Sequence, residues 1–255
     1  MTTDTDSKRV FYIDLIRGLC VLLMIVDHFM FDCAYILPEI NSSPFIDAMY
    51  SAGHYYWVHP VRQVVRGIVV STFYFLCGIS SSLSRNNLKR AIKLLIVSAI
   101  ITAVTLPIDI ISGYQGFVIW FGTIHMLTVA VFSVVLIELI KNEKIKVAVY
   151  LVAATVMIVL HAVLFNPEYE NTFGAILGIG YPATNTADMT GIMPFVGIVF
   201  LGVVFGKLLK KKQLLKPCEP PKLLRPACFV GRYALLTYLL HQPALMIIIL
   251  LLSLF

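Results

Sequence analysis

The chain has 255 residues, 59% hydrophobic and only 13% charged, with a net charge of +6 and a mean hydropathy of +0.87. Soluble domains carry roughly a quarter charged residues, so this composition excludes a soluble enzyme. It also excludes a disordered chain, which would be polar and charge-rich. What remains is a polytopic membrane protein, with room for about six to eight helices at ~20 residues per span.

In chain order, the polar start Met1–Arg9 carries no signal-peptide pattern. Seven apolar runs follow, at about Phe11–Phe31, Val64–Leu83, Ala91–Ile111, Phe117–Ile140, Val147–Phe165, Gly191–Leu208 and Phe229–Leu254. Each approaches the length needed to cross about 30 Å of hydrocarbon. The expected fold is all-α: a polytopic transmembrane bundle of about seven helices, forming one transmembrane domain over 1–255.

Charge tests this count. With the N-terminus inside, the inner segments hold Lys8 and Arg9; Arg85, Lys89, Arg90 and Lys93; Lys141, Lys144 and Lys146; and the Lys207–Arg225 cluster. The outer segments hold Asp32, Glu39, Asp47, Asp109, Glu168, Glu170 and Asp188, with Arg62 and Arg66 as their cations. Cations gather on the cytoplasmic side, so the alternation predicts the N-terminus inside and the C-terminus outside. Two outer loops are long, about 32–63 and 166–190. The first is rich in aromatics and prolines and is expected on the interface or re-entering the bundle. The five cysteines form no CxxC and read as small buried apolar residues. Two small-residue runs, LCGISSS (Leu76–Ser82) and GIVFLGVVFG (Gly197–Gly206), read as close helix contacts.

Ionisable residues inside a span are costly and mark function by default. The first helix concentrates them: Asp14, Arg17, Asp27, His28 and Asp32. Asp14 and Arg17 are spaced to pair. Arg17 and His28 lie three turns apart on one face, about 16 Å along the axis. Asp32 continues that stripe one turn on. Arg17 can alternatively snorkel to the inner headgroups, and His28 can be a hydrogen-bonded core residue. Five other histidines exist: His54, His59, His125, His161 and His241. No HxxxH or HxxE spacing joins them, so no metal is expected. Proton transfer suits imidazole better. A transporter or proton-coupled carrier would use the same polar stripe. No internal repeat supports one, although Pro243 after His241 hints at a broken helix. A non-catalytic scaffold would leave the intramembrane Arg17 and His28 unexplained.

The ordered blocks DLIRGLCVLLMIVDHF, FYFLCGISSSLSRNNLKRAIKLL, FGTIHML, GIMPFVGIVFLGVVFGKLL and GRYALLTYLLHQP resemble the catalytic domain of the heparan-α-glucosaminide N-acetyltransferase family, including its small bacterial members. The resemblance runs from about Arg9 to the end. The Arg17-x10-His28 spacing is also similar to the Arg/Lys-x10-His motif of the wider integral-membrane acyltransferases, such as the O-antigen acetylases. The resemblance implies acetyl transfer from cytoplasmic acetyl-CoA, as co-substrate, to a sugar or glycan amine or hydroxyl outside, in a bacterial cell membrane. One family places its essential histidine in the loop after the first helix, where His59 and then His54 stand. The other points to His28. These alternatives stay open.

The chemistry expected is attack on a thioester by an amine or hydroxyl, which needs a general base. His28 or His59 is expected to deprotonate the acceptor or briefly to carry the acetyl group, with its imidazole oriented by Asp27 or Asp32. Arg17, Arg85, Lys89 and Arg90 are expected on CoA phosphates. His54, Arg62, Arg66, His125 and His241 are expected around the acceptor. The partners are the lipid bilayer, acetyl-CoA, a glycan and a possible second copy of the chain, with no nucleic acid.

Overall fold

A computed structural model describes residues 10–112 and 116–255. Lys8 and Arg9 lie outside the described residues. Eleven α-helices are seen among the described residues: α1 Phe11–Tyr35, α2 Leu37–Ile40, α3 Pro44–Val58, α4 Pro60–Leu83, α5 Asn87–Ser112, α6 Thr123–Glu138, α7 Glu143–Leu164, α8 Thr172–Leu177, α9 Phe195–Lys211, α10 Arg225–Arg232 and α11 Ala234–Leu252. Among the described residues there is no strand, only three isolated bridges.

Among the described residues, five stretches are long and apolar enough to cross a membrane: Phe11–Ile40, Pro60–Leu83, Asn87–Ile111, Glu143–Leu164 and Ala234–Leu252. The helices at the other two expected spans, α6 and α9, have 16 and 17 residues. Helix α6 starts six residues later than the apolar run for a physical reason. Asp109 Oδ1 accepts the backbone N–H groups of Gly116, Phe117 and Val118, at 2.8, 2.7 and 3.3 Å. The Thr105 hydroxyl accepts that of Ile119. The approach to α6 is thereby tied to α5 before the helix begins. The seventh run is divided at Tyr233 into α10 and α11.

The long segment after α1, expected on the outside, is largely helical. Ser43 accepts the N–H of Ile46 and Pro44 opens α3, a capped start. Four cysteines are buried, Cys218 is exposed, and all five are free thiols.

The chain falls into two compact units, the residues up to Phe73 with Leu215–Phe255, and Tyr74–Leu214. In the first unit, α1 packs on α3, α10 and α11. Gly18 and Gly231 let α1 and α10 cross at backbone contact: a Cβ on Gly18 would overlap the Ala227 carbonyl, and one on Gly231 the Asp14 carbonyl. Cys33, Leu37, Ile46 and Ile249 form a fully buried cluster where α1, α2, α3 and α11 meet. In the second unit, the two small-residue runs pack against each other. A Cβ on Gly78 would overlap Val199, and one on Gly202 would overlap Phe75. Small residues at both faces let the backbones approach.

Candidate active site

The site lies in the first unit, along α1. At one end Asp14 and Arg17 pair at 3.0 Å, and Arg17 also donates to the Gly231 carbonyl at 3.2 Å. Both side chains are largely buried. Arg17 therefore braces the crossing of α1 and α10.

Three turns further on, Asp27 is held by Arg62 at the start of α4. The guanidinium makes two parallel bonds, Nε to Oδ1 at 2.8 Å and Nη2 to Oδ2 at 2.7 Å. The Arg62 side chain is 5% exposed and stacks over Trp57, 3.6 Å from the ring centre. Tyr56 donates its phenol to the same Oδ1 at 3.2 Å. Burial first, and the Asp27 charge second, push the Tyr56 phenol above its usual pKa and keep it a donor. Asp27 is thus neutralised and fixed by groups from α3 and α4. Bidentate geometry and ring stacking are what Arg offers and Lys does not.

His28 follows Asp27. Its Nδ1 lies 2.8 Å from the Met24 carbonyl, which only accepts. Nδ1 therefore carries a proton, and in the neutral ring Nε2 holds the lone pair. The His28 ring meets that of His241 edge-on, with centroids 4.8 Å apart. His241 in turn donates Nδ1–H to the Tyr238 carbonyl at 2.5 Å. One turn beyond His28, Asp32 is fully buried, and both its oxygens accept from Gln242 Nε2 at 3.1 Å. Gln242 Oε1 is buried with no hydrogen-bond partner among the described residues. Helices α1 and α11 thus bring together His28, Asp32, His241 and Gln242.

The other expected residues stand elsewhere. His59 sits before α4, where its Nδ1 accepts the N–H of Val61 at 3.2 Å. Its lone pair is spent on a helix start, and Nε2 carries the proton of the neutral ring. His54 is exposed on α3, stacked on Tyr50, and Arg66 is exposed on α4. Arg85, Lys89, Arg90 and His125 belong to the second unit. Arg85 and Lys89 are exposed, while Arg90 donates to Ser81 Oγ at 3.1 Å. His125 accepts the Gly122 N–H at Nδ1, and its Nε2 lies 3.0 Å from the Thr102 hydroxyl. Thr102 already donates to the Ile119 carbonyl, so Nε2–H is the donor and His125 is fastened to the start of α6. Among the described residues, no group of three or more His, Cys, Asp or Glu is arranged to hold a metal ion.

Sequence reasoning missed Tyr56, Trp57 and Gln242. Gln242 was within reach, since TYLLHQP sets an amide beside His241 in an apolar helix. Tyr56 and Trp57 gave no such signal in an aromatic-rich stretch.

The family model described as heparan-alpha-glucosaminide N-acetyltransferase, catalytic, matches residues 9–243. No curated protein and no solved structure matches the chain. The match spans almost the whole sequence, including α1 and the start of α11, so the chain belongs to the heparan-alpha-glucosaminide N-acetyltransferase catalytic-domain family and is a membrane acyltransferase.

Proposed function

We propose that the protein transfers an acetyl group from cytoplasmic acetyl-CoA to an amine or hydroxyl of a sugar at the outer face of a cell membrane, with His28 as general base. The observation that carries this reading is the His28 tautomer. Its Nδ1–H is anchored on the Met24 carbonyl, which leaves Nε2 to take a proton. As the acceptor nitrogen or oxygen attacks the thioester carbonyl, its proton passes to His28 Nε2. The tetrahedral intermediate then collapses, the C–S bond breaks, and the CoA thiolate recovers that proton from the imidazolium.

Asp32, one turn along α1, supplies the negative charge that favours the imidazolium. Asp27 is less suited, because Arg62 already occupies both its oxygens. His59 is less suited as the base, because the Val61 N–H takes its free lone pair. Arg17 is less suited to hold a CoA phosphate, because it is engaged by Asp14 and Gly231.

The test uses the full chain in nanodiscs, with acetyl-CoA and sugar acceptors. CoA is expected to raise the unfolding temperature, since it binds the folded state. H28A is expected to abolish transfer while keeping that stabilisation. A missing response to millimolar CoA, or an H28A protein with full transfer, defeats the proposal.

A further inference from the structure

The pairing of Asp32 with Gln242 is unbalanced. An ionised carboxylate offers about four lone-pair sites, and a carboxamide NH2 supplies at most two protons. Both Asp32 oxygens share the single Gln242 nitrogen, and Asp32 is fully buried. The donor end of the carboxamide must face the carboxylate, so Oε1 is an acceptor as well. It is buried without a hydrogen-bond partner among the described residues. His28 Nε2 adds a further acceptor on the same stripe of α1. Buried polar atoms are normally paired, and one left over calls for an explanation.

An acceptor-rich cluster in an apolar bundle fits a group that brings protons. It is mismatched to a phosphate or a carboxylate, which would add acceptors to acceptors. We infer that Gln242 is a specificity-determining residue: its Oε1 takes a hydrogen bond from an N–H or O–H of the acceptor sugar beside Asp32. The inference rests on the function proposed above and adds a residue which that function does not require. Gln242 has two tasks. Its amide nitrogen holds Asp32 in place, and its carbonyl end reads the substrate.

The experiment measures initial rates of the full-length protein in nanodiscs with acetyl-CoA and two probe acceptors, glucosamine and glucose. Q242M keeps the length of the side chain and removes the amide. The expected result is at least a tenfold rise in KM for the preferred probe, with the KM for acetyl-CoA and the CoA-induced stabilisation unchanged. An unchanged acceptor KM overturns the inference. If Q242M loses its stabilisation by CoA, Q242E decides. It keeps acceptor oxygens and can share one proton with Asp32. An acceptor KM within threefold of wild type then supports the inference, and a tenfold rise overturns it. A wild-type protein that CoA stabilises but that acetylates neither probe overturns the subsite alone. One that shows neither stabilisation nor transfer overturns the proposed function as well.

Discussion

The two units of the molecule bury polar groups in opposite ways. In the second unit, Lys146 contacts Glu138 at 3.1 Å and Glu143 at 2.5 Å, and Lys207 contacts the same two at 2.8 and 3.2 Å. Tyr150, fully buried, donates to Glu138 at 3.1 Å. Two cations meet two anions, and the network joins α6, α7 and α9. In the first unit, Asp27 and Arg62 reach the same closure, whereas Asp32, Gln242 and His28 hold more acceptors than donors. A closed network needs nothing further and reads as architecture. An open one inside an apolar bundle is where a substrate has something to contribute.

This contrast can be broken experimentally. The largest effect is expected in the open cluster. H28Q should lower acetyl transfer by about 10²–10⁴-fold, the usual worth of a general base, with the unfolding temperature nearly unchanged. A large loss of stability with modest loss of rate would make His28 a packing residue.

In the closed network the effect should reverse. K146M removes one partner of a mostly buried set and leaves Glu138 under-compensated. Because Glu143 is mostly exposed, the loss of stability should be about 2 kcal/mol, below the cost of breaking a fully buried pair. The KM for acetyl-CoA in the folded fraction should not move, and thermal unfolding beside steady-state rates measures both.

Next comes the clamp on Asp27. R62K forfeits the fork and the Trp57 stacking, and should cost about 1–2 kcal/mol. The double variant D27N/R62Q should recover part of the loss of R62Q alone, since no unpaired charge remains. Unfolding midpoints of the set give the coupling energy, and strict additivity would remove the clamp from the account.

The smallest effect is expected at His59. H59A loses a helix-start acceptor and should cost about 0.5–1 kcal/mol, with acetyl transfer within twofold of wild type. Loss of transfer in H59A alone would move the base from His28 to His59.

Much of this was legible along the chain because hydrocarbon is an unforgiving solvent. Apolar runs of span length, five of them matched by long helices, follow from composition and backbone satisfaction alone. The rarity of intramembrane charge singled out α1, and helical periodicity predicted the pairing of Asp14 with Arg17, seen at 3.0 Å. Periodicity could not say that Asp109 would delay α6, or that the aromatic segment after α1 would fold into α3 and bring Tyr56 and Trp57 to Asp27. Nor could it separate His28 from His59. The proposed preference for His28 rests on which ring nitrogen is already bonded, to the Met24 carbonyl in one and the Val61 N–H in the other. Sequence determined which few side chains are too polar for a membrane core, because that is a property of each residue against lipid. Tertiary structure decided which are satisfied and which remain open, because hydrogen bonding is a property of pairs, and the partners lie as far apart in the chain as Asp32 and Gln242.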